Sequence, residues 1–83
     1  MVKDVRFTFT VKELMDILAT LPPDLPVVTS GYESGYENFY QPFVKKLKAE
    51  PESMYFDGQF QDAEDKDTDT FEAVIIERER RDD

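Results

Sequence analysis

The chain has 83 residues, neither cysteine nor histidine, and a formal net charge of −9. These absences exclude a disulfide framework, a thiol nucleophile, imidazole acid–base chemistry and the common zinc sites. The acidity disfavours ordinary nucleic-acid binding and instead favours a basic partner or a cation.

This length fits a single domain, residues 1–83, with one modest core that buries roughly 60 to 65% of the unfolded chain's surface. Hydrophobic residues make up 40% and charged residues 35%, with seven phenylalanines and four tyrosines. That is a globular balance. The charge is uneven: the stretch from Glu50 to Glu72 is rich in acids with Lys66 as its lone base, while Lys45, Lys46 and Lys48 lie just upstream. No apolar run approaches bilayer-spanning length, and the opening residues lack the apolar stretch of a signal peptide, so no membrane partner and a cytoplasmic location are expected.

In chain order, Val5, Phe7 and Phe9 alternate with Arg6, Thr8 and Thr10, the period-two pattern of a strand over residues 4–9. Thr10 and Glu13 form a capping-box signature, because the hydroxyl can accept from the Glu13 N–H while the carboxylate reaches back to the Thr10 N–H. Val11, Leu14, Met15, Leu18 and Leu21 then fall on one stripe, predicting a helix over residues 11–21 that buries this stripe on a sheet. Pro22 and Pro23 end it. A second strand is expected over residues 26–30, where Val27, Val28 and Thr29 are β-branched.

Residues 31–38 give a four-residue unit twice, Gly-Tyr-Glu-Ser then Gly-Tyr-Glu-Asn, in which each glycine can take positive φ. A third strand follows, with Phe43, Leu47 and Ala49 on one face and Val44, Lys46 and Lys48 on the other. The lysines suit an edge or an exposed face, with Glu72 or Glu77 as cross-strand partners. Asp57-Gly58 suits a type I′ turn that would set Tyr55 opposite Phe60. Residues 62–69 read as a solvated acidic loop. The last strand, residues 70–78, is apolar on both faces, as expected of an interior strand. Residues 1–3 and 79–83 are expected to fray.

The helix motif TVKEL, the LPPDLPVV turn and strand, the GYESGYEN loop, MYFDGQF and FEAVIIER together resemble a family of short bacterial proteins whose function is not established. The resemblance covers most of the chain and implies a compact α+β domain. It transfers no activity, cofactor or catalytic residue. The acidic stretch 63–69 has no counterpart in that pattern.

The loop from Gly31 to Tyr40 concentrates candidate chemistry. Tyr32, Tyr36, Phe39 and Tyr40 stand beside Glu33 and Glu37, aromatic faces next to carboxylates that could hold a Lys or Arg by cation–π contact and ion pairing. The same tyrosines could instead fold back and cap the small core, and the sequence leaves both readings open. Asp65, Asp67 and Asp69 repeat the start of a calcium loop, but Thr70 stands where glycine is needed and Ile76 where a bidentate glutamate is needed, so they are a weak metal candidate. Carboxylate pairs such as Glu33 with Glu37, or Asp57 with Asp62, are the remaining catalytic route. Ser34 lacks both a nucleophile elbow and a histidine to activate it.

The expectation is an α+β domain with one N-terminal amphipathic helix packed on one face of a small, mainly antiparallel sheet. Its expected role is a non-catalytic interaction or regulatory module without a cofactor, binding a basic protein through the loop and the acidic surface. A homodimer through a sheet edge is a further expectation. The alternative is a domain that binds a ligand or a divalent cation.

Overall fold

The computed structural model describes residues 7–50, 52 and 58–81. It is an α+β protein in which the described residues form one helix and two antiparallel sheets, of two and three strands. Two compact units are present: Thr8–Phe43 with residues 75–81, and Val44–Val74 with Phe7.

In the first unit, α1 spans Val11–Leu18. It starts where the capping box predicts: Thr10 Oγ1 accepts from the Glu13 N–H at 3.2 Å, and the Thr10 N–H donates to Glu13 Oε1 at 2.8 Å. The helix ends about a turn before the expected Leu21. Past Leu18 the bonds tighten to three-residue steps, with Thr20 N–H donating to Ile17 O and Leu21 N–H to Leu18 O. Such steps close a helix terminus while Pro22 holds Leu21 out of helical geometry. Pro23 and Asp24 then occupy the centre of a turn closed by Leu25 N–H on Pro22 O at 3.3 Å, with proline's fixed φ suiting the first central position.

The apolar stripe is not buried as the sequence predicts. Leu14 is half-buried, but Val11, Met15, Leu18 and Leu21 are exposed, Met15 at 62%. The capping box and helical periodicity act within a few residues and form the helix, whereas burial of its stripe needs a surface supplied from elsewhere.

The second strand is also shorter than expected. β1 is Thr29–Ser30, and Val27 and Val28 are exposed outside it. It pairs antiparallel with β2, Tyr36–Glu37, in the register Thr29 with Glu37 and Ser30 with Tyr36. β-Branching favours an extended backbone, but a strand extends only as far as its partner does, and β2 offers two residues.

The larger sheet, which apart from Phe43 and Ile75 belongs to the second unit, consists of β3, Phe43–Ala49, β4, Phe60–Asp62, and β5, Thr70–Ile75. Their order is β4-β3-β5. Among the described residues the lysine-bearing strand is therefore central, with Lys45 and Lys46 exposed, which was the alternative to an edge, and β5 lies at an edge rather than in the expected interior. Leu47, 8% exposed, is the buried apolar residue of β3. On β5, Phe71, Ala73 and Ile75 are half-buried while Val74 is exposed. Its two-sided apolar pattern thus serves one face only.

Lys45 pairs with Asp62 at 3.0 Å and Lys48 with Asp67 at 3.5 Å, so the basic strand meets the acids that follow it rather than Glu72 or Glu77. Asp62 belongs to β4 and not to the acidic loop. Phe60 lies opposite Ala49; Tyr55, its expected partner, is outside the described residues. The Phe60 ring packs on Phe7, stacked at 5.6 Å, and edge-on to Phe71 at 5.6 Å, while Phe7 meets Phe71 edge-on at 5.1 Å. Each such pair contributes about 0.5 to 1.5 kcal/mol beyond area burial. Phe7 to Phe9 form no strand, and residues 4–6 of that expected strand lie outside the described residues.

Candidate hairpin recognition site

The Gly-Tyr-Glu repeat is a β-hairpin tip. Gly31 N–H donates to Gly35 O at 2.9 Å, closing a loop between β1 and β2. The two glycines serve different ends. Gly35 has φ +72°, the left-handed region that glycine reaches without strain. Gly31 is not in that region, but a Cβ there would lie 2.5 Å from the carbonyl oxygen of Ser34.

This hairpin carries the predicted aromatics and acids outward. Tyr32 is 79% exposed and Tyr36 78% exposed. Of the two open readings, core capping is excluded for both rings. Phe39 and Glu37 are half-buried, and Tyr40 is exposed at 43%. Tyr36 and Glu37 are strand residues of β2 rather than loop.

The groups that the sequence reading missed come from the far end of the chain. Phe39 pairs antiparallel with Arg78 through an isolated bridge. Tyr40 N–H donates to Glu77 O at 2.9 Å and Glu79 N–H donates to Asn38 O at 2.8 Å. This is the non-hydrogen-bonded type of antiparallel pair, in which the facing side chains come closest. The Arg78 guanidinium carbon lies 5.0 Å from the centre of the Tyr32 ring, within cation–π range. Arg81 donates from Nη2 at 2.8 Å and from Nε at 3.0 Å to the same Glu37 oxygen, Oε2. Arg80 N–H donates to the Tyr40 hydroxyl at 3.2 Å.

Residues 79–81 are therefore tied to the hairpin, where the sequence predicts a fraying tail. One signal could have located them: a loop carrying two carboxylates and three tyrosines needs cations, and the arginines in the run ERERR are close-spaced candidates. Tyr32, Glu37, Arg78, Glu79, Arg80 and Arg81 line an open cleft of about 390 Å³.

The other candidates are not gathered into sites. Asp67 is turned inward, its Oδ2 accepting from Glu64 N–H at 2.7 Å and facing Lys48, whereas Asp65 and Asp69 are exposed. Among the described residues, no group of three or more Asp, Glu, His or Cys is placed to hold a metal ion. The Glu33 and Glu37 pair is divided in role, with Glu37 on Arg81 and Glu33 exposed. Asp62 is held by Lys45, and Asp57 is outside the described residues. No helix among the described residues is long and apolar enough to cross a membrane.

No family model, curated protein or solved structure matches the chain.

Proposed function

We propose that this chain is a small, non-catalytic interaction module, cytoplasmic in setting, that takes a basic protein partner through the hairpin of residues 31–40 and the acidic surface around it. The observation that carries this reading is the outward presentation of Tyr32 and Tyr36, each nearly four-fifths exposed on a paired hairpin. Tyrosines kept only for stability would be tucked against apolar surface. Held on a closed hairpin, they offer large contact area with little side-chain freedom left to lose on binding.

Two further features support it. The hairpin already engages two guanidinium groups, by ring face at Tyr32 and by carboxylate at Glu37, which is the chemistry a basic partner brings. The net charge of −9 also speeds the approach of a cationic surface.

The test is a titration with an arginine-rich peptide. Replacing Tyr32 and Tyr36 together by alanine is expected to weaken binding about tenfold, from two lost ring contacts, with the circular dichroism spectrum unchanged. Unaltered affinity, or loss of fold, would sink the proposal.

A further inference from the structure

Resting on that reading, we infer that the ligand class of the hairpin is an extended segment bearing Arg-x-x-Arg, and that residues 77–81 are the chain's own copy of it, a pseudo-ligand that an external segment must displace.

The contacts of residues 77–81 are those of a bound peptide. An added strand is recognised by main-chain hydrogen bonds that hold any sequence and by side chains that select one. Here the main-chain part is the pair of bonds from Tyr40 N–H to Glu77 O and from Glu79 N–H to Asn38 O. The selective part is Arg78 over the Tyr32 ring and Arg81 forked onto Glu37.

The two arginines are not interchangeable with lysines at these positions. A guanidinium presents a flat face to a ring and two parallel N–H groups to a carboxylate, whereas an ammonium is a point charge. Arg81 brings both Nε and Nη2 onto the one oxygen Oε2 of Glu37, a two-donor contact from a planar group that an ammonium replaces with a single point charge. The spacing is that of the contacts themselves: Arg78, paired across from Phe39, lies over the Tyr32 ring of the loop, and Arg81, three residues later, meets Glu37 on β2.

The contacts are also made at the surface. The Arg81 side chain is 64% exposed and Tyr32 is 79% exposed, while Glu37 and Arg78 are half-buried and none of the four is fully buried. What favours the internal segment is tethering. Attached directly after β5, it competes at an effective concentration on the order of millimolar. A partner segment offering the same two arginines at the same spacing has to overcome that advantage, and the internal segment thereby sets a threshold for binding.

The test uses the full chain and a labelled peptide of sequence Ile-Ile-Glu-Arg-Glu-Arg-Arg. Arg78→Ala with Arg81→Ala is expected to raise peptide affinity by about threefold to tenfold over the unaltered chain, because the tethered competitor is weakened. Alanine in place of the two spaced arginines of the peptide is expected to abolish the gain, and Tyr32→Ala added to the double variant is expected to reverse it. Arg81→Lys keeps the charge but not the fork and should give a smaller gain of about twofold, readable even where the double variant folds poorly.

Equal affinity for all chain variants overturns the inference, as does equal binding of the arginine-free peptide. Where an arginine-rich peptide still depends on Tyr32 and Tyr36 but not on Arg78 and Arg81, the interaction reading stands and the pseudo-ligand falls. Where no tyrosine matters, both fall.

Discussion

At the scale of single residues, Asp67 shows how a position in a highly charged stretch acquires a defined role. Its carboxylate accepts from the Glu64 N–H at 2.7 Å while Glu64 O accepts from the Asp67 N–H at 2.9 Å. The turn is thus closed from both sides. That backbone hydrogen bond, chiefly, holds the Asp67 pKa below the ordinary 3.8 against the upward push of desolvation, with Lys48 and then Lys66 adding to the lowering. The folded value is depressed, so the associated stability is present above the unfolded value and is lost as pH falls through the folded one. A carbon-detected NMR titration should place the Asp67 midpoint below 3.8. Asp67→Asn should flatten the stability profile in that acid window, and a midpoint at or above the ordinary value would contradict the assigned contacts. In the sequence Asp67 belongs to a solvated run, because nothing in the string Glu-Asp-Lys-Asp indicates which aspartate turns inward.

At the scale of elements, what was legible was what is local. The start of α1 depends on four consecutive residues, Thr10 to Glu13, and appears where they place it. Thr10→Ala removes the side-chain acceptor for the Glu13 N–H and should destabilise the protein by about 1 kcal/mol. Urea unfolding followed by far-ultraviolet circular dichroism measures this, and an unchanged midpoint would mean that the box is idle. Strand lengths and strand order were less legible. β1 is cut to two residues by the length of its partner, and β3 takes the centre of its sheet with its lysines, of which Lys45 and Lys48 are met by Asp62 and Asp67. Apolar alternation reports which face a residue takes, not which strands flank it.

At the scale of the whole molecule, the −9 charge accompanies a generous display of apolar side chains, including Val11, Met15, Leu21, Val27, Val28 and Val44. Mutual repulsion at neutral pH opposes the association that such surfaces favour. The chain is therefore expected to stay dispersed near pH 7 and to associate as pH approaches its isoelectric point, about 4.3. Light scattering across that range checks this, and scattering that stays flat through the isoelectric point would show that repulsion is not what keeps the chains apart. Added salt at neutral pH should have the same effect more weakly, since screening shortens the reach of repulsion to about 10 Å at 0.1 M.

The sequence alone determined the α+β class, the capped helix start, the turn at the double proline and the concentration of aromatics and acids in residues 31–40. Each rests on spacing within one segment, where backbone geometry leaves few alternatives. Only the tertiary structure decided that Tyr32 and Tyr36 face outward and that the cations which Tyr32 and Glu37 meet are Arg78 and Arg81. Those arginines lie some forty residues away along the chain, and a contact of that span is chosen by strand pairing between Phe39 and Arg78, which no local pattern encodes. The Gly-Tyr-Glu repeat identified a surface able to hold a guanidinium, and the fold supplied one from the same chain.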